Sequence, residues 1–239
     1  MKKLVCLFVL LLAVSVNAGT ITGVSTGVGT PVGYFYDPPK IGNESRIIVW
    51  SNEPESSWGG GHRDLVQIFT PDVSLLMEDF SFRMDPRGGD SAAYIPSGAG
   101  REMGLELYEM STASTYDIGL AGTLQTSWTG MVTGAQVNGS APNSWFTFSF
   151  GEAYSLNAGV TYAVKFGFTY PVGSSKWDGG FLSYGIFDPE AYAGNWAVYT
   201  GGDPQVYYKT WRTGRYAISP EPATLALLSL GGLLLRRRK

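Results

Sequence analysis

His62 is the only histidine of the 239-residue chain, and it sits in Trp58-Gly59-Gly60-Gly61-His62-Arg63-Asp64. A hydrolytic triad would use His62 as base, Asp64 to orient it and a serine as nucleophile. The string Gly23-Val24-Ser25-Thr26-Gly27 matches the G-x-S-x-G elbow. That elbow needs a buried strand before it and a helix after it. Here Gly29, Thr30 and Pro31 follow instead. His62 therefore reads as a polar loop residue. One histidine also excludes a two- or three-histidine zinc site. Calcium would go to Asp85 and Asp90, which flank Pro86-Arg87-Gly88-Gly89 and would need carbonyl oxygens to complete the shell. The Arg87 cation between them favours a solvated turn. Glycoside hydrolysis needs two carboxyl groups ~5–10 Å apart. Glu102 and Glu106 fall on one side of a predicted strand, with Glu109 close by, but four strand positions span ~13 Å. Gly27-Val28-Gly29 lacks the third glycine of a dinucleotide fingerprint. No catalytic residue, metal site or cofactor follows, and the chain reads as non-enzymatic.

Aromatic residues offer a different chemistry. The chain holds seven tryptophans. A flat ring stacks on the apolar face of a sugar, while a neighbouring Asp or Asn binds its hydroxyls. Trp177-Asp178, Tyr192 and Asn195-Trp196 supply that combination near Gly- and Asn-rich turns and are the candidate glycan-binding residues. Trp50, Trp128 and Trp145 lie in or beside strand patterns, where large rings bury area in the core.

The elements that must position these groups are strands. Phe80, Phe82 and Met84 alternate with Ser81 and Arg83. Met103, Leu105 and Leu107 alternate with Glu102, Gly104 and Glu106. Phe146, Phe148 and Phe150 alternate with Thr147 and Ser149, and Tyr162, Val164, Phe166 and Phe168 with Ala163, Lys165 and Gly167. Period two is the strand signature. Further strands are expected at Arg46–Ser51, Asp64–Thr70, Phe181–Phe187, Trp196–Thr200 and Tyr207–Ala217. Residues 19–33 read as a leading segment or edge strand, and Ser111–Asn143 adds nothing distinctive. Eight to ten strands are best buried as two antiparallel sheets packed face to face. The fold expected is all-β, a two-sheet antiparallel sandwich. Gln67-Ile68-Phe69-Thr70 followed by Phe80-Ser81-Phe82-Arg83, and Leu156-Asn157-Ala158-Gly159-Val160-Thr161-Tyr162 after Trp145-Phe146-Thr147-Phe148, resemble secreted jelly-roll domains of the carbohydrate-binding-like type. That resemblance implies a jelly-roll sandwich and leaves its role open.

Both ends of the chain read as addresses. Lys2 and Lys3, an apolar run from Leu4 to Val16, and small side chains at Val16-Asn17-Ala18 make residues 1–18 a signal peptide, cut between Ala18 and Gly19. Cys6, the only cysteine, lies within it, so the mature chain has no thiol. At the other end Pro220-Glu221-Pro222 precedes an apolar helix, Ala223 to Leu235, and then Arg236-Arg237-Arg238-Lys239. The terminal cations favour the cytoplasmic side of a membrane. This order resembles the PEP-CTERM sorting signal. The resemblance implies a bacterium with an outer membrane, a tail recognised and cut by an exosortase, transient membrane contact through the C-terminal helix, and delivery to the cell surface or beyond it. The divisions are residues 1–18 for the signal, 19–218 for the sandwich and 219–239 for the sorting tail.

The ends also hold charge. Lys2, Lys3 and residues 236–239 account for six of the 17 cations, leaving 11 against 20 acids over residues 19–235, a formal −9. Such a body does not bind nucleic acid, which requires a basic face. It suits neutral glycans better than acidic ones. The expectation is an exported, exosortase-sorted surface or matrix protein, gripping extracellular polysaccharide. Two alternatives stay open: a secreted glycan- or ester-hydrolysing enzyme, and a structural coat protein without a ligand.

Overall fold

Runs of alternating aromatic and polar residues pair into one long sheet. The computed structural model describes residues 17–27, 31, 34–36, 45–50, 64–84, 93–95, 100–111, 122–138, 140, 144–169, 181–187, 196–201, 206–209, 213–214 and 216–219. The strands in chain order are β1 (Asn17–Gly27), β2 (Tyr34–Tyr36), β3 (Ser45–Trp50), β4 (Leu65–Phe69), β5 (Leu75–Arg83), β6 (Ala93–Tyr94), β7 (Arg101–Met110), β8 (Gly122–Val132), β9 (Trp145–Leu156), β10 (Tyr162–Phe168), β11 (Phe181–Phe187), β12 (Trp196–Gly201), β13 (Val206–Lys209), β14 (Thr213–Gly214) and β15 (Tyr216–Ser219). A short helix, α1 (Gly134–Val137), follows β8.

The long sheet has 11 strands in the order β13-β12-β4-β10-β7-β8-β1-β9-β5-β15-β2. A smaller sheet runs β14-β11-β3, with β6 also on β11. The all-β expectation therefore stands at the level of class. The long sheet is mixed, not antiparallel throughout. Asn17–Thr20 of β1 run parallel to β8, whereas Ile21–Gly27 run antiparallel to β9. It is one continuous hydrogen-bonded path that curls until its two halves meet. Phe82 of β5 stacks on Phe166 of β10 at 4.7 Å, and Phe69 of β4 meets Tyr216 of β15 at 5.3 Å. Neither pair belongs to hydrogen-bonded neighbours. Such ring contacts at 4.5–7 Å join the halves through large buried areas.

The expected inward sets are buried. Phe80, Phe82 and Met84, then Met103, Leu105 and Leu107, then Phe146 and Phe148, are all fully covered, as are Tyr162, Val164, Phe166 and Phe168. Trp128 and Trp145 lie in the core as expected. Three segments differ from expectation. The first described strand, β1, sits between β8 and β9 and is no edge. Its run of Gly, Thr and Ser imitates an edge composition, but at Gly19 a side chain is excluded because the Trp128 ring crowds it. The stretch from Ser111 to Asn143 contains all of β8. Its inward side mixes Thr126 and Gly130 with Trp128 and Val132, and the β7–β8 register shifts between Leu107 and Tyr108, so alternation is hard to see. The expected strand over Tyr207–Ala217 divides into β13, β14 and β15. Among the described residues no helix is long and apolar enough to cross a membrane. The apolar helix expected at Ala223–Leu235, like residues 1–16, lies outside the described residues.

The outward side of β4 and β10 is also covered. Val66, Ile68 and Ala163 have no exposed surface and form a second apolar cluster with Met110, against which Tyr108 packs. β3 of the smaller sheet approaches β10.

Candidate functional site

The outward side of β10 carries the densest group of ionisable side chains described. Val164 and Phe166 point into the core, so the strand period turns Lys165 to the opposite face. Its direct partner on β7 is Glu106, and on β4 it is Val66. The Lys165 Nζ lies 3.1 Å from Glu106 Oε2 and 3.5 Å from Asp64 Oδ2. The Tyr108 hydroxyl donates to the same Glu106 oxygen at 2.6 Å. The lysine and aspartate side chains are 18% and 6% exposed, the glutamate 36%. A short range and partial exclusion of water strengthen these attractions over those of a surface pair. Gly167 makes the group possible. A methyl there would overlap Asp64 Oδ1, so the aspartate lies directly over the glycine backbone. Further along β7, Glu102 Oε2 accepts from the Thr169 hydroxyl at 2.6 Å.

This arrangement ties β4, β10 and β7 together. A cation held between two carboxylates attracts both and offsets their mutual repulsion. The three acids that sugar chemistry would draw on go separate ways: Glu102 to Thr169, Glu106 to Lys165 and Tyr108, while Glu109 is exposed. The strand period puts Glu102 and Glu106 on one side of β7 but is silent on Asp64, because that contact depends on the β4–β10 pairing. Asp64, the expected orienting acid of a His62 triad, faces Lys165. His62 lies outside the described residues. Among the described residues no group of three or more His, Cys, Asp or Glu is placed to hold a metal ion. Asp85 and Asp90 lie outside them.

Of the glycan-binding candidates, Trp196 opens β12, where its backbone pairs with Ile68 of β4. Trp177, Asp178, Tyr192 and Asn195 lie outside the described residues. So do Pro220, Glu221, Pro222, Arg236, Arg237 and Arg238. Ala18 and Gly19, which flank the expected signal cut, lie on β1 opposite Ser127 and Trp128 of β8.

In the turn that resembles jelly-roll domains, Leu156, Gly159 and Tyr162 have structural roles. Leu156 is buried. Gly159 has φ 77°, a left-handed conformation that side chains disfavour. Its N–H donates to the Pro71 carbonyl at 2.8 Å. The Tyr162 hydroxyl accepts the Asn157 N–H at 3.0 Å while its ring meets Phe69. These roles belong to folding, so the motif speaks for architecture and not for a ligand.

No family model matches the chain, and no curated protein matches it either.

Proposed function

We propose that the chain is an exported, non-enzymatic component of a bacterial cell surface or extracellular matrix, sorted by an exosortase and gripping neutral polysaccharide. The observation that carries this reading is the three-part order at the C-terminal end, Pro220-Glu221-Pro222, apolar run and Arg236-Arg237-Arg238, on a chain that starts with a basic and apolar leader. β1 begins at Asn17, directly after the leader's apolar run, so the proposed cut falls after its second residue. On this reading signal peptidase cuts between Ala18 and Gly19, and the C-terminal helix holds the chain in the membrane until the exosortase acts. The body is a jelly-roll-type sandwich whose two sheets share β1. The Phe82–Phe166 and Phe69–Tyr216 contacts between the halves support that finer description. The −9 charge of residues 19–235 favours an uncharged glycan over an acidic one. Trp177, Asp178, Tyr192, Asn195 and Trp196 are the residues proposed to bind it.

Replacing Pro220, Glu221 and Pro222 together by Ala tests the sorting step. The variant is expected to accumulate in the membrane fraction while the parent reaches the surface. Equal distribution of the two would contradict the reading. Probing a glycan array with the exported chain tests the ligand. Binding that falls at least tenfold with Trp177→Ala or Trp196→Ala supports it, and silence on every glycan would leave a coat protein without one.

A further inference from the structure

β1 joins the two halves of the long sheet. It pairs with β8 from Asn17↔Thr126 to Thr20↔Thr129 and with β9 from Ile21↔Phe150 to Gly27↔Trp145. Its side chains hold it weakly. None of its described side chains is fully buried, and only Ile21 and Val24 pack on the core, each in part. Backbone pairing flanks it on both sides, and the Thr22 and Thr26 hydroxyls donate to the Ser149 and Gln136 carbonyls, each at 3.2 Å.

The slot that receives it is held together without it. Trp128 of β8 stacks on Phe150 of β9 at 4.1 Å. The Trp128 indole N–H donates to the Glu152 carbonyl of β9 at 3.3 Å. This clasp links the strands on either side of β1. The slot also fits its occupant closely. A methyl on Gly130 would come within 2.6 Å of Ile21 Cβ, and one on Gly19 within 2.5 Å of the Trp128 ring. Thr20, Thr22, Ser25 and Gly27 are exposed on the outward side, so one face of the strand meets solvent.

We propose that β1 is an exchangeable strand, which leaves its own slot and pairs with β8 and β9 of a second copy of this chain. The hydrogen bonds given up within one copy re-form in the other, so concentration and the connecting segment set the balance. Added strands of this kind draw affinity from main-chain hydrogen bonds and specificity from alternate side chains, here Ile21 and Val24, which pack against the core. The proposal rests on the export reading in one respect: loss of residues 1–18 removes the Asn17 and Ala18 pairings with β8 and leaves Gly19 at a free end, and a crowded cell surface supplies the second copy.

Ser25 and Thr147 are direct partners across β1 and β9, and Cys6 is the only native cysteine. One copy carrying Ser25→Cys and another, with a different affinity tag, carrying Thr147→Cys are exported from the same cells and oxidised. The expected product is a disulfide-linked dimer bearing both tags, released by reductant, whose share rises with chain concentration. A chain with both substitutions serves as the geometric control and is expected to form the bond within one copy as well. Monomers alone from the mixed copies, alongside a bond within the double variant, would overturn exchange. Failure of both would overturn the β1–β9 pairing on which the proposal stands. The N-terminal mass of the same samples reads the export reading separately. A start at Gly19 without linked dimers sinks exchange alone, and linked dimers that start at Met1 sink the export reading alone.

Discussion

Lys165 is the residue whose surroundings are the most constrained. Its ammonium group lies between Asp64, whose side chain is 6% exposed, and Glu106, whose side chain is 36% exposed. Lys165→Met keeps most of the apolar stem and removes the charge. It is expected to destabilise the protein by about 1–3 kcal/mol, the cost of weakening the compensation of half-buried and buried carboxylates. Urea unfolding of the variant against the parent measures it, and an unchanged midpoint would show that the group contributes nothing. Tyr154 gives a second test. Burial, then the charges of Tyr162 and Glu109, raise its hydroxyl above the ordinary 10.0, and it donates to Gln125 Oε1 at 3.0 Å. The folded chain therefore holds this proton more tightly than the unfolded one. Its contribution is complete below pH 10.0 and is lost as pH rises through the folded value. Thermal unfolding between about pH 9 and 11 is expected to show a steeper alkaline decline in the parent than in Tyr154→Phe.

Among the elements, β5 and β10 carry the contact between the halves of the sheet. Phe166 meets Phe80 at 5.9 Å and Phe82 at 4.7 Å, and none of these rings is exposed. Phe166→Ala is expected to cost about 3–5 kcal/mol, the lost transfer energy plus an unfilled cavity. A calorimetric melt reads it; a shift of less than a degree would mean that the halves do not depend on this contact. Elements with aromatic residues at alternate positions are legible in the sequence. Phe146, Phe148 and Phe150 announce β9, and Tyr162 to Phe168 announces β10, because a half-buried strand must repeat every second residue. β8 is hidden for the opposite reason. Its inward positions include Thr126 and Gly130, and the bulge opposite Leu107 and Tyr108 breaks the alternation. β1 reads as a leading or edge strand, since nothing in Gly-Thr-Ile-Thr-Gly-Val-Ser-Thr tells that two neighbours enclose it. The Lys165 group is only half legible. Period alone assigns Lys165 and Glu106 to outward sides, but the meeting with Asp64 needs the register of β4 on β10.

For the molecule as a whole, the account joins a β body to two short addresses. The body is stabilised without thiols, through aromatic packing and a continuous sheet that curls upon itself. On the export reading proposed above, the two ends act before the body reaches its destination, and β1, which overlaps the end of the first of them, joins β8 to β9. Intact mass spectrometry of the protein recovered from outside the cell tests this account most directly, because it reads both ends at once. The account predicts a chain that starts at Gly19 and has lost Arg236 to Lys239. A chain recovered inside the cell with Met1 and Lys239 both in place would contradict it.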